Sequence, residues 1–73
     1  MTTSADLIAA AILTAERSQK WVADKSGIPA TTLRRKMRGG ADFTVGEVAR
    51  IARSLGVHPA DLLPEAFDRE VSA

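Results

Sequence analysis

Gly27, Pro29, Gly39-Gly40, Gly56, Pro59 and Pro64 punctuate this chain, and the segments between them carry helical periodicity without strand-like alternation. That feature points to an all-α fold of short helices joined by tight turns. Thr3 or Ser4 is placed to cap a first helix, with Asp6 near its positive end. Leu7, Ile8, Ala11, Ile12 and Ala15 share one face of that helix, and Leu13 falls outside the stripe. Ser18 is placed to cap a second helix, Gln19 to Ser26, with Val22, Ala23 and Ser26 on one side. Gly27 follows, where a helix end wants a residue tolerant of positive φ. Pro29 suits the start of a third helix, where a missing N–H costs nothing, and Gly39-Gly40 stops that helix after Met37 or Arg38.

The fourth segment opens with Thr44-Val45-Gly46-Glu47, a capping-box pattern. Val45, Val48, Ala49, Ile51, Ala52 and Leu55 fill one arc of this helix, and Glu47, Arg50, Arg53 and Ser54 fill the opposite one. Gly56 ends it. His58-Pro59 opens a short fifth helix through Leu62 and Leu63, which Pro64 ends or redirects. The expectation is a compact bundle of about five short helices. It forms one domain over residues 1–64, followed by a tail over 65–73.

Composition narrows the function classes. The chain has 73 residues and no cysteine, which leaves no disulfide framework and no thiolate metal site. His58 has no second ligand at metal-binding spacing and reads as a turn or cap residue. No cofactor fingerprint or catalytic set is recognisable, so neither an enzyme nor a cofactor is expected. The apolar run Leu7 to Leu13 is far shorter than the ~20 residues a membrane span needs. The residues before it lack the positive stretch of a signal peptide. A cytoplasmic protein follows as the expectation, with no membrane partner and no small-molecule ligand.

Net charge is only +1, but its distribution is uneven. No acid occurs between Lys25 and Ala41, a stretch that holds Lys25, Arg34, Arg35, Lys36 and Arg38. At about 100° per residue, Ala30, Thr31, Arg34, Arg35 and Arg38 share one face of the third helix, opposite Leu33 and Met37. A charge run on an arbitrary helix usually marks a solvated face. Here one sign of charge, a preceding short helix and a Gly-containing turn coincide, which is the helix-turn-helix pattern, over Gln19 to Gly39. Small residues at the start of the helix let the backbone approach base edges. Arginine matches guanine O6 and N7, and the remaining cations suit phosphates. Trp21 projects away from Val22 and reads as a half-buried side chain lying on the first helix or the tail.

Gln19-Lys20-Trp21-Val22-Ala23, Gly27-Ile28, Thr32-Leu33-Arg34-Arg35 and Gly39 together resemble the Cro/repressor (XRE-type, lambda-repressor-like) helix-turn-helix family. Phe43-Thr44-Val45 through Ile51-Ala52, Leu55-Gly56-Val57, Pro59 and Asp61-Leu62-Leu63 are similar to that family's later helices. The resemblance implies a DNA-binding domain in which Ala30, Thr31, Arg34 and Arg35 read bases. Gln19, Thr32, Lys36 and Arg38 are assigned to phosphates. Lys36 stands where many members are apolar, with Met37 taking over that core contact, and Trp21 stands where many have glutamate. The link around Glu16-Arg17 is shorter than usual.

The function so implied is a sequence-specific transcription regulator of phage Cro-like or small-repressor type. It would bind double-stranded operator DNA as a homodimer, formed either in solution or only on DNA. An antitoxin of a toxin–antitoxin pair, or a protein-interaction module on the same fold, are the alternatives. Leu63, Phe67 and Val71 recur at four-residue spacing and are the candidate dimer stripe.

Overall fold

In a computed structural model, which describes residues 2–64, four α-helices follow one another: α1 (Ser4–Thr14), α2 (Gln19–Ser26), α3 (Ala30–Met37) and α4 (Val45–Leu55). Among the described residues there is no strand. The fifth element is not an α-helix but a single 3-10 turn, Pro59–Leu62, in which Asp61 N donates to His58 O. Its shortness is the reason. With prolines at 59 and 64, the segment has room for i→i+3 bonds and little more. Its purpose in the packing is Leu62, which is 1% exposed.

Side chains cap three of the four helices. Thr3 Oγ1 accepts from Asp6 N while Thr3 N donates to the Asp6 carboxylate, so α1 begins with a full capping box. Ser18 Oγ accepts from Trp21 N at α2. Thr44 and Glu47 form the reciprocal pair expected at α4. Pro29 stands just before α3, where it makes no side-chain cap.

One device ends all four α-helices. The amides of Arg17, Ile28, Gly40 and Val57 each reach back five residues, to the carbonyls of Ile12, Ala23, Arg35 and Ala52. The residue before each of these turns left-handed. At Gly27, Gly39 and Gly56 glycine adopts this without strain, but after α1 it is Glu16, at φ 56°. The short α1–α2 link is therefore a complete helix stop followed at once by the Ser18 cap.

The core is built from all five elements: Ile8 and Ile12 of α1, Val22 and Ala23 of α2, Ile28 of the turn, Leu33 of α3, Val48, Ile51 and Ala52 of α4, and Leu62. Leu7, Ala11, Trp21, Met37, Phe43, Leu55, Val57 and Leu63 pack around it. Leu13 is 79% exposed, as its place off the stripe predicts.

Two positions of α4 depart from the expected arcs. Val45 is 61% exposed, because the first residue of α4 lies beyond the edge of the core. Glu47 is buried, because its carboxylate folds back over the helix start to complete the cap. Leu63, expected at a dimer interface, lies half-buried against its own core. Phe67 and Val71 lie outside the described residues.

Candidate nucleic-acid interface

The turn between α2 and α3 sets the geometry of the site. Gly27 (φ 75°) and the buried Ile28 reverse the chain in three residues, and Leu33, 1% exposed, pins α3 to the core. With Leu33 inward, Ala30, Thr31, Arg34, Arg35 and Arg38 all point to solvent. Thr32 and Met37 are half-buried at the flanks. Since Pro29 offers no cap, the first amides of α3 are left without a side-chain partner beside this face.

Two shallow depressions meet at Arg34. One is lined by Thr31, Arg34, Arg35, Arg38, Gly39 and Gly40. The other, between α2 and α3, is lined by Gln19, Lys20, Asp24, Ala30 and Arg34. The fold thus brings Gln19, from the start of α2, beside the start of α3. Thr32 lines neither depression.

Three neighbours of the site escaped the sequence reading. Lys20 and Asp24 sit one helical turn apart on α2, a spacing that places them on one face. Gly40 lies directly on the stem of Arg35. A Cβ at position 40 would meet Arg35 Cγ at 2.8 Å and the Arg35 carbonyl oxygen at 3.1 Å. The Gly-Gly pair was the signal, and only its first member is needed for the helix stop.

Lys36 is the correction to the expected set. Its ammonium does not join the cationic face but turns toward α4, where Nζ lies 2.6 Å from Glu47 Oε1. Both side chains are nearly buried, at 11% and 12% exposure. The cause is its position between the solvent face and the core: a long flexible stem carries the charge to the buried Glu47 carboxylate. Burial pushes the Glu47 carboxyl up. Hydrogen bonds from Lys36 and Thr44 and the Lys36 charge outweigh it, holding the group below its ordinary value of 4.5. Among the described residues no carboxylate pairs with Arg34, Arg35 or Arg38.

Away from this face, Trp21 is half-buried as expected, with the Arg17 guanidinium 4.4 Å from its ring centre and Lys25 Nζ at 5.8 Å. His58 caps the 3-10 turn through Nδ1, which accepts from Ala60 N at 3.1 Å. Among the described residues no helix is long and apolar enough to cross a membrane.

Comparison with known proteins gives one match across nearly the whole chain: the family described as BetR domain, over residues 2–72. No curated protein and no solved structure matches the sequence. The chain belongs to the BetR domain family.

Proposed function

We propose that this BetR-domain chain is a sequence-specific DNA-binding regulator that presents α3 to the major groove. The observation that carries the reading is the solvent face of α3. It holds three guanidiniums, those of Arg34, Arg35 and Arg38, with no described carboxylate paired to them and with small residues leading the helix. Membership of a family of small helical, DNA-binding-like domains supports it.

Each residue has a role in this reading. Ala30 and Thr31 let the start of α3 approach the base edges, and the Thr31 methyl meets a thymine methyl. Arg35 forks onto a guanine, with Arg34 beside it at the junction of the two depressions. Arg38, at the end of α3, and Gln19, at the start of α2, hold phosphates on either side. Lys20 adds a charge on the same side as Gln19. Thr32 is a marginal backbone contact.

The likeness to Cro and repressor domains extends the reading to a two-fold dimer on a palindromic operator, acting in the cytoplasm of a prokaryotic or phage-infected cell. Binding is the whole of the activity proposed: there is no enzymatic step, cofactor or small-molecule ligand in it.

Titration of duplex DNA across a salt series tests the proposal. If Lys20 and Arg38 each neutralise one phosphate, log K should fall against log[salt] with a slope of about −2 per protomer and about −4 per dimer. No binding, or a flat response to salt, would remove the reading.

A further inference from the structure

Lys36 and Glu47 stand apart from every other polar contact in the fold. Among the described residues, all other side-chain hydrogen bonds close within three residues along the chain, but this one joins positions 11 apart. It runs from the last turn of α3 to the first turn of α4. Those two helices otherwise approach little, for α3 packs chiefly on α2 and α1. Glu47 Oε1 accepts from Lys36 Nζ at 2.6 Å and from Thr44 N at 2.8 Å, so the oxygen that caps α4 also holds α3.

The mechanical consequence falls on Arg35 and Arg38. Leu33 anchors the first half of α3, and among the described residues its second half is held inward by the half-buried Met37 and the Lys36 tether. A lysine drawn toward α4 fixes the roll of the turn that carries Arg35, the residue before it. Gly40 N donates to the Arg35 carbonyl, and Gly40 rests against the Arg35 stem. There is also an electrostatic consequence. A cation turned inward and neutralised adds nothing to sequence-independent attraction for phosphates.

We infer that Lys36, held by Glu47, is a positioning residue for sequence discrimination. It sets the roll of α3 while its own charge is withheld from the DNA backbone. This rests on the DNA-binding reading above. A nearly buried ion pair is weak evidence for a stabilising role, since apolar replacement of such pairs is often neutral. Its directionality is what the geometry uses.

The test compares wild type, Lys36→Met, Glu47→Gln and Lys36→Arg. Binding is measured to the duplex that wild type selects from a random library and to a random-sequence duplex, each across a salt series. Glutamine preserves the cap on α4, because the capping box accepts it. Glu47→Gln should therefore free Lys36 for phosphate. Non-specific binding should tighten, its salt slope should steepen by about 0.9 per protomer, and the ratio of specific to non-specific affinity should fall about fivefold or more. Lys36→Met should lower that ratio without changing the slope. Lys36→Arg, which can still pair with Glu47, should retain it.

Amide hydrogen exchange of Lys36→Met, without DNA, should show faster exchange at Arg38, Gly39 and Gly40 and unchanged exchange in α1 and α2. A slope made shallower by about 0.9 in Lys36→Met, with discrimination intact, would return Lys36 to the phosphate contacts and overturn the inference. Unchanged exchange at those three amides would overturn it too. If wild type binds no duplex at all, the functional reading fails and takes the discrimination role with it. The exchange measurement still decides whether the tether holds α3.

Discussion

Glu16 holds φ at 56°, a backbone region that costs a residue with a Cβ about 1–2 kcal/mol. It does so because the helix stop after α1 needs a left-handed residue there, as the stops after α2, α3 and α4 do, and those three use glycine. Glu16→Gly should therefore raise stability by about 0.5–1 kcal/mol after the extra freedom of glycine in the unfolded chain is counted. For a domain of this size that is a rise of about 2–8 °C in Tm, read by thermal melting. A lower Tm would mean that the Glu16 side chain contributes more than its backbone loses. On the proposed DNA-facing side, Arg35 and Arg38 are both exposed guanidiniums, but they differ in place. Arg35 lies within α3 and is braced by Gly40, and Arg38 caps the helix as the chain leaves the site. Arg35→Ala should cost about 1–3 kcal/mol on the preferred duplex and flatten preference at one base position. Arg38→Ala should weaken all duplexes about equally. Paired titrations on selected and random DNA check this, and equal losses for both variants on both duplexes would contradict the assignment.

Among the elements, α4 joins the fold to the site through its first turn. Its Glu47 carboxyl is held below its ordinary value, so the stabilisation it provides is fully present above about 4.5. That stabilisation fades as pH falls through the lower, folded value. Glu47→Gln keeps the cap and the shape but cannot ionise. The stability difference between wild type and Glu47→Gln, measured by denaturant titration, should be largest near neutrality and shrink as pH falls below about 4.5. A difference independent of pH would mean that the charge of Glu47 contributes nothing. The same residue shows what a sequence conceals. The cap signals were legible, as at Thr44 and Ser18, because a cap is a contact within three residues. So were the glycine stops and the inward faces of α1 and α2. Helical periodicity placed Glu47 on the solvent arc and Val45 on the core arc, and both are reversed. An arc says which way a side chain leaves the helix, not where the core ends along the axis, and Val45 lies past that edge. It also assumes that a charge seeks water, which Glu47 has no need to do with Lys36 and Thr44 N as partners. The destination of Lys36 depends on an α3–α4 approach that no local pattern encodes. The cationic face of α3 was readable because Leu33 alone fixes which side is inward.

At the scale of the whole molecule, the length of α3 limits what one copy could read in the proposed DNA-binding role. Its eight residues span about 12 Å, which covers about four base pairs at about 3.4 Å each. Four base pairs recur too often in a genome to mark one promoter, so the proposed regulator is expected to place two copies on one site. Two such copies can enter successive major grooves on one side of the duplex only if their recognition helices stand about 34 Å apart. A two-fold pair then imposes its own symmetry on the DNA it prefers. Duplexes selected by this protein from a random library should carry inverted half-sites of about four base pairs, centred about 10 base pairs apart. Each selected duplex should bind two protomers. An insertion of about five base pairs between the half-sites would place them on opposite sides of the helix and should abolish the joint binding, while an insertion of about ten should restore part of it. Leu63 alone would not supply a surface that fixes this spacing, because it is half-buried against its own core. Gel-shift stoichiometry on the selected duplexes and their spacing variants is the measurement. Asymmetric selected sites, one protomer per duplex, or indifference to the five-base-pair insertion would make this chain a monomeric binder. Its specificity would then have to come from a partner.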